Sequence, residues 1–524
     1  MERFNFALAI DLGFVLEGES IPSSPASDDG QSLPGWGGSV TVQAGIERNR
    51  TYVMDAHRLR RLLNPRSVAV VGAKRANDYR WLRCMSTFQG PVYSVNIDAR
   101  ETAGIEALGV RNYPRLLDIP GPVDYVIVSV PREATPVVLG DCIAKGVGGV
   151  TLFTSGFSET GTEKGRELER TVTQMAREAD LPLVGPNCMG VFNPKIGLRN
   201  FPELYAGESG PVGFLSQSGT HGYNFALMGF RNGITISKLI SYGNAVVLDS
   251  PDYLEYLRDD PDTALIGMYL EGVRDGGRLF RLLQELTPRK PVVIWKGGQT
   301  EPGTRATASH TGSLAESMAI WRAVMRQTGA IEADSLEDMM DTIAALLYVQ
   351  PTTGDRVALI SMTGGQSVVT TDAFAKAGLQ VPTLAEHSYE RLSQFFNIVG
   401  GSYRNPIDMG SNWEAGEQIR AILDILEADP QVDIIALELS LNMLFRRMET
   451  NSSFRMFLLE MLVAHRRRTR KPFLAIVTPS YVPEAEAEVK RLLRAEGIPS
   501  FPTFQRAAKA LQGSIGYWRF LAEQ

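Results

Sequence analysis

Three consecutive α/β modules, each built on a parallel sheet, are the fold class this sequence predicts, and three observations carry the prediction. Short β-branched runs ended by Gly, Pro or a polar turn alternate with segments of helical period, the texture of strands buried on both faces. That texture restarts twice, near residue 205 and again after the turn PTTGD at 351–355. A length of 524 residues and a hydrophobic content of 44% suffice to bury a core in each module.

In chain order, residues 18–45 are crowded with Ser, Pro, Gly and Asp without sustained period, so 1–60 is expected to be an extension, partly flexible, and not a domain. The first module, 61–205, holds strand candidates at Ser67–Val71, Val92–Val95, Tyr125–Val130 and Gly149–Phe153, with a helical pattern at Val137–Lys145. The second, 206–350, holds Val212–Leu215, Ser237–Ile240, Ala264–Tyr269 and Pro291–Trp295, with a long helix expected over Leu314–Gln327. The third, 351–524, holds Val357–Ser361, Ile434–Leu437 and Phe473–Val477.

Composition excludes several classes. With 53 Lys+Arg against 59 Asp+Glu, the formal charge of −6 argues against a polybasic nucleic-acid or membrane surface. No apolar run approaches the roughly 18 residues of a membrane span, and the apolar stretch Phe4–Ile10 lacks the basic flank of a signal peptide. Three cysteines, Cys84, Cys142 and Cys188, make no disulfide framework and fit a reducing, cytoplasmic setting. The basic run at 465–471 reads as a solvated helix end. Only five histidines occur, at 57, 221, 310, 387 and 465, so each is weighed singly.

In open α/β sheets ligands bind beyond the carboxyl ends of strands, where a turn and a helix N-terminus present N–H groups to an anion. Each module offers such a turn after its first strand. In the first, Gly72 ends SVAVVG without the later glycines of a dinucleotide fingerprint, and it fits an ordinary turn as well as a nucleotide contact. The second has Ser216, Gln217, Ser218 and Gly219; the third has Gly364, Gly365, Gln366 and Ser367. Two turns rich in glycine and hydroxyls at the same place in successive modules favour two phosphate sites over helix caps. His310 sits in the small-residue stretch 296–317, expected to be a long, mobile loop, and such loops are usually functional. Imidazole accepts a phosphoryl group well when a carboxylate holds its other nitrogen. Glu271, after the buried run ALIGMYL, is the candidate carboxylate. His221, beside the 216–220 turn, is expected to support the site from behind, and the other histidines are assigned no role.

Together SQSGT (216–220), YLEG (269–272), the 296–317 stretch and GPNCMGVFNP (185–194) resemble the NDP-forming acyl-CoA synthetases, the ADP-forming acetyl-CoA synthetase branch of the succinyl-CoA ligase superfamily. The resemblance runs from about 61 to 520. It implies a Rossmann-like CoA-binding domain followed by two flavodoxin-like ligase domains. It also implies phosphohistidine chemistry at His310 steadied by Glu271, with phosphate held at Ser216–Gly219 and a second such helix at Gly364–Ser367. Gly72, Ala73, Lys74 and Pro131 would contact CoA, and Asn187 and Cys188 would lie near the acyl group. The CoA turn departs from the family's pattern: GAKRAND replaces the common Gly-Ala-Ser turn, and VNID stands where VNP is usual, leaving Lys74, Arg75 and Arg100 as substitute phosphate contacts or as surface charge. NPID at 405–408 matches a further family segment and is read as a structural turn. Nothing after 350 reads as an ATP-grasp module, so the resemblance implies an α-type subunit of a hetero-oligomer. Its β-type ATP-grasp partner would bring ATP or ADP and Mg²⁺, with a carboxylic acid, CoA and phosphate as substrates and no resident metal in this chain. A non-catalytic CoA-binding homologue and a related acyl or carbamoyl phosphotransfer enzyme stand as alternatives.

Overall fold

A computed structural model of the chain describes residues 54, 56–311, 317–414, 416–442 and 452–524; at 56–57, 308–311, 414, 416 and 452–456 only the backbone is described. The expected extension up to residue 53 lies outside them. A helix, Ala56–Leu63, runs across the expected boundary at 60/61; its Leu59, Leu62 and Leu63 are buried, with Leu62 against Gly149 of the first sheet.

The first sheet has six parallel strands in the order β3-β2-β1-β4-β5-β6: β1 (Val68–Val71), β2 (Val92–Val95), β3 (Arg111–Tyr113), β4 (Tyr125–Val128), β5 (Gly149–Leu152) and β6 (Leu183–Val184). This is the doubly wound dinucleotide-binding order, with its switch point between β1 and β4. The second sheet runs β12-β11-β10-β8-β9-β7: β7 (Gly190–Phe192), β8 (Val212–Ser216), β9 (Ile236–Ser241), β10 (Leu265–Leu270), β11 (Val292–Lys296) and β12 (Ile331–Ala333). The third runs β14-β13-β15-β16-β17: β13 (Val357–Ser361), β14 (Ile407–Asp408), β15 (Ile434–Ser440), β16 (Phe473–Thr478) and β17 (Ser500–Phe501). Counted from β8 in the second sheet, with the added antiparallel strand β7 set aside, and from β13 in the third, the two sheets share the flavodoxin-like order 2-1-3-4-5, with switch points at β8/β10 and β13/β15. The α/β class and the Rossmann-then-flavodoxin sequence of sheets are therefore as expected.

The strands expected from apolar runs are present with ends moved by at most three residues: Val92–Val95 and Val357–Ser361 are unchanged, Tyr125–Val130 ends at Val128 and Ile434–Leu437 extends to Ser440. Two features cross the expected module boundaries. Strand β7, inside the 61–205 block, pairs antiparallel with β9 of the second sheet. The last helix, Phe504–Ala522, packs on Leu336–Tyr348 of the second module and on Gly364–Lys376 of the third.

The 296–317 stretch departs most from expectation. Residues Glu301–Thr311 form a helix, not a loop. Thr304 Oγ1 donates to the Gly298 carbonyl at 2.9 Å and Gly303 N to Thr300 Oγ1 at 3.2 Å, so local hydroxyl bonds satisfy groups at its start. The run ATAS adds no large side chain that would oppose a helix. Residues 312–316 lie outside the described set, and the following helix begins at Met318, not Leu314.

Candidate functional site

At the second switch point, β8 ends at Ser216, which is fully buried, and its Oγ donates to the Ser218 carbonyl at 2.7 Å while accepting from Ser218 N at 3.2 Å. The turn is thereby held closed, and Ser218 Oγ caps the helix Gly219–Arg231 by accepting from His221 N at 3.3 Å. Gly219 and Thr220 follow, with first-turn amides that have no acceptor within the helix. The Gln217 side chain turns the other way: its Oε1 accepts from the amides of Glu271 and of Gly272, the latter at 2.9 Å. Gln217 therefore braces the end of β10, and its carbonyl oxygen is engaged.

Glu271 is 6% exposed directly after β10. Its Oε1 accepts from the Tyr269 hydroxyl at 3.1 Å, and its carbonyl accepts from Lys296 Nζ at 2.8 Å. Lys296, itself buried at the end of β11, also donates to the Gly297 carbonyl at 2.9 Å. His221 packs in a three-ring cluster with Tyr269 and Trp295, its ring centroid 4.5 and 4.6 Å from theirs. Burial pushes the His221 imidazole below its ordinary value, and the Glu271 charge partly opposes this. His310 falls in the last turn of the helix Glu301–Thr311, and its side chain lies outside the described residues. That helix packs beside the short turn Ser158–Thr160.

A cleft of about 590 Å³ opens between the carboxyl ends of the first two sheets. It collects Lys74 and Pro131 from the first switch point, Asn187 and Cys188 from the link to β7, and Gln217, Ser218 and Gly219 from the second switch point. Gly72 lies just beneath with φ +90°; a Cβ there would come within 2.5 Å of the Ser129 carbonyl, so the close approach of this turn to the strand after β4 requires glycine. Ala73 is buried, and its carbonyl accepts from Asn96 Nδ2 at 2.6 Å. The unusual residues of this turn divide. Lys74 reaches the cleft, Arg75 N donates to Glu101 Oε2 at 2.8 Å, and Arg100 is paired with Asp98 at 2.7 Å. Cys188 is 4% exposed, and burial pushes its thiol up to about 12, so it lines the wall as an inert thiol.

The second expected phosphate turn does not join this cleft. It belongs to the third sheet, where Thr363 Oγ1 caps the helix Gly364–Lys376, Gly364 and Gly365 are exposed, and Ser367 is buried. Its build repeats that of the first: Ser361, Met362, Thr363 and Gly364 stand where Ser216, Gln217, Ser218 and Gly219 stand, and Met362 Sδ takes the amide of Ser440 at 3.2 Å, as Gln217 takes that of Glu271. NPID acts structurally, with the Asn405 side chain tied to Leu359 N, the Val357 carbonyl and the Pro382 carbonyl.

Sequence reading missed Arg80, Arg132, Thr154, Ser155 and Phe201, which also line the cleft. Arg80 stacks over Phe201 at 4.6 Å, and Arg132 donates to the Gly156 carbonyl at 2.5 Å. No local pattern marks these residues; they meet only because the segments that follow β1, β4, β5 and β7 converge. Among the described residues, no group of three or more His, Cys, Asp or Glu is disposed to hold a metal ion. No described helix is long and apolar enough to cross a membrane.

Comparison with known proteins places this geometry. Residues 66–194 match the CoA binding domain family and residues 209–346 the succinyl-CoA ligase like flavodoxin domain family. The α subunit of acetate–CoA ligase [ADP-forming] II of Pyrococcus furiosus is 34% identical over 453 residues, which are 85% of this chain and 95% of that subunit. The acetate–CoA ligase [ADP-forming] I of Archaeoglobus fulgidus is 37% identical over 382 residues, 72% of this chain but 54% of the relative, so this chain spans about half of that longer protein. Among solved structures, the dinucleotide forming acetyl-coenzyme A synthetase 1 of Ca. Korarchaeum cryptofilum, in complex with phosphate and ADP, is 29% identical with a TM-score of 0.75, covering 88% of this chain and 97% of that one. The chain belongs to the family of ADP-forming acid–CoA ligases, in its α-subunit form.

Proposed function

We propose that this chain works with a separate ATP-grasp subunit to catalyse acid + CoA + ATP = acyl-CoA + ADP + phosphate, through an acyl phosphate and a phosphohistidine at His310. The observation that carries this reading is the single cleft shared by Lys74, Pro131, Asn187, Ser218 and Gly219, with Glu271 braced through Gln217 at its inner end. The lining suits CoA: Lys74 brings a cationic side chain to the cleft, and the Gly72 turn lies just beneath it.

In the direction of acid release, a phosphate oxygen attacks the thioester carbonyl, the carbon–sulfur bond breaks, and CoA leaves as the thiol after taking a proton. The amides of Gly219 and Thr220 and the positive end of the helix stabilise the phosphate charge. A ring nitrogen of His310 then attacks phosphorus, and the acid leaves as a carboxylate. Glu271 holds the other ring nitrogen and stabilises the charged ring. The phosphoryl group passes to ADP on the partner subunit, which supplies the nucleotide and Mg²⁺. The free, buried state of Cys84, Cys142 and Cys188 fits work in the cytoplasm.

The test uses the full chain with acetyl-CoA and labelled inorganic phosphate. Acid-labile, base-stable label is expected on the wild type, absent from His310→Ala and strongly reduced in Glu271→Gln. Equal label on His310→Ala would overturn the phosphohistidine reading. A non-catalytic CoA-binding role is the second reading, because the cleft lined by Lys74, Pro131 and Ser218 can hold CoA without any phosphoryl transfer. CoA binding without any label would select it.

A further inference from the structure

Asn244 follows β9 in the sequence YGNAV, and it touches both the Pro186–Asn187 turn, which lines the cleft, and the two carboxylates that brace the turn after Ser155. Its Nδ2 donates to Glu159 Oε2 at 2.7 Å and to Glu169 Oε2 at 3.2 Å. Its Oδ1 accepts from Asn187 Nδ2 at 3.5 Å, its backbone amide donates to the Pro186 carbonyl at 3.1 Å, and its carbonyl accepts from Arg274 Nη2 at 3.1 Å. The two carboxylates it bridges hold the turn that lines the cleft. Glu159 Oε1 accepts from Gly156 N at 2.6 Å and Phe157 N at 3.2 Å, and Glu169 Oε2 accepts from the Ser158 hydroxyl at 2.6 Å. That turn presents Thr154 and Ser155 to the cleft, and the Pro186 turn presents Asn187 and Cys188. The same turn, at Ser158–Thr160, packs against the helix Glu301–Thr311.

One neutral amide thus sits between two carboxylates of the first module while belonging to the second. An amide is the side chain that suits this place: it offers an N–H pair to the carboxylates and an acceptor to Asn187 without adding charge. We infer that Asn244 is a positioning residue that sets the inner wall of the cleft, and that through this wall it governs CoA affinity without contacting CoA. The inference rests on the reading of the cleft as the CoA site.

The test is calorimetric binding of CoA to the full chain, with the melting midpoint measured beside it. Asn244→Asp turns the donor into a third carboxylate facing Glu159 and Glu169, and is expected to weaken CoA binding roughly 10- to 100-fold, the range of a lost hydrogen bond to a charged group. The double variant Asn244→Asp with Glu159→Gln restores a donor–acceptor pair: the carbonyl of the introduced amide keeps the Gly156 and Phe157 N–H groups, and its NH₂ faces the new carboxylate. It is expected to recover most of the affinity. Asn244→Asp binding CoA within twofold of the wild type would overturn the inference. If the single variant melts early, the double variant decides: recovered melting with recovered affinity supports the assignment, and recovered melting without it overturns it. A wild-type chain that does not bind CoA would instead overturn the CoA reading, and the inference with it.

Discussion

The Tyr269 hydroxyl donates to Glu271 Oε1 at 3.1 Å, a side-chain contact that acts on the carboxylate itself and not on its backbone. Tyr269→Phe keeps the ring among His221 and Trp295 and removes only that donor, so the label on His310 from acetyl-CoA and phosphate is expected to form about tenfold more slowly, the cost of one charge-assisted hydrogen bond. The Kd for CoA should not move; a change in Kd with an unchanged labelling rate would show that Tyr269 does not act through Glu271. His465 makes a different residue-scale prediction. The run 465–471, expected to be a solvated helix end, is exposed at Arg467, Arg468 and Arg470 but begins with a buried residue: His465 is 1% exposed against Phe473, neither ring nitrogen has a hydrogen-bond partner among the described residues, and burial pushes its pKa down to about 4. A lowered pKa means that the unfolded chain takes up a proton the folded chain refuses, so stability is full at neutral pH and falls as pH drops from about 6.5 toward 4. Between pH 7 and pH 5 this amounts to about 2 kcal/mol at most. Urea unfolding of His465→Leu should show a shallower pH dependence over that window than the wild type, and an identical slope would refute the assignment.

At the scale of elements, the buried pair that Lys238 of β9 forms with Asp260 shows what charge does inside a sheet protein. Lys238 Nζ lies 2.9 Å from Asp260, both fully or nearly buried, with Asp262 at 3.4 Å and the Thr263 hydroxyl also on Asp260 at 2.7 Å. Removing one partner strands the other, so Lys238→Ala is expected to cost about 3–5 kcal/mol in urea unfolding, whereas Lys238→Met with Asp260→Asn should cost clearly less than the two single changes added together. Additive costs would show that the two side chains are independent. The strands themselves were legible because buried parallel strands are written as unbroken apolar runs: VAVV, YVIV and VALIS leave little room for another reading. The short edge strands β3 (RNY), β14 (ID) and β17 (SF) were not, because two or three residues at a sheet edge carry no period and owe their extension to the neighbour that pairs with them. The helix Glu301–Thr311 escaped for the opposite reason. Its small residues and hydroxyls look like a loop by composition, and a helix forms there from hydroxyl bonds at its start and packing beside Ser158–Thr160. Of the candidate site, the turn residues Ser216–Gly219 and the carboxylate Glu271 were readable, since strand ends followed by Gly and Ser are local signals; Asn244, Arg80 and Arg132 act through partners distant in sequence and leave no local mark.

For the molecule as a whole, the seam between the second and third sheets decides whether the modules stand or fall together. The helix Phe504–Ala522 lies in the third module by sequence but contributes to both cores: Tyr517 joins Phe214, Phe225 and Met339 of the second, while Phe504, Leu511 and Ile515 join Leu359 and Ala436 of the third. Polar contacts reinforce the seam. The Tyr517 hydroxyl donates to the Thr287 carbonyl at 2.9 Å, Arg506 pairs with the mostly buried Asp341 at 2.5 Å, and Gly329, at φ +72°, leaves space that the Phe520 ring fills. A core shared in this way makes separate unfolding of either module expose apolar surface belonging to the other, so the two should open as one cooperative unit. Tyr517→Ala removes a buried ring from the second core and is expected to cost about 3 kcal/mol or more. Backbone hydrogen exchange reads where that cost appears. Faster exchange is expected in the helix Leu336–Tyr348 and strand β12 as well as in residues 504–522. The first sheet contributes no strand to either of these two cores and should exchange at its wild-type rate. Acceleration confined to residues 351–524 would mean that the last helix belongs to the third module alone.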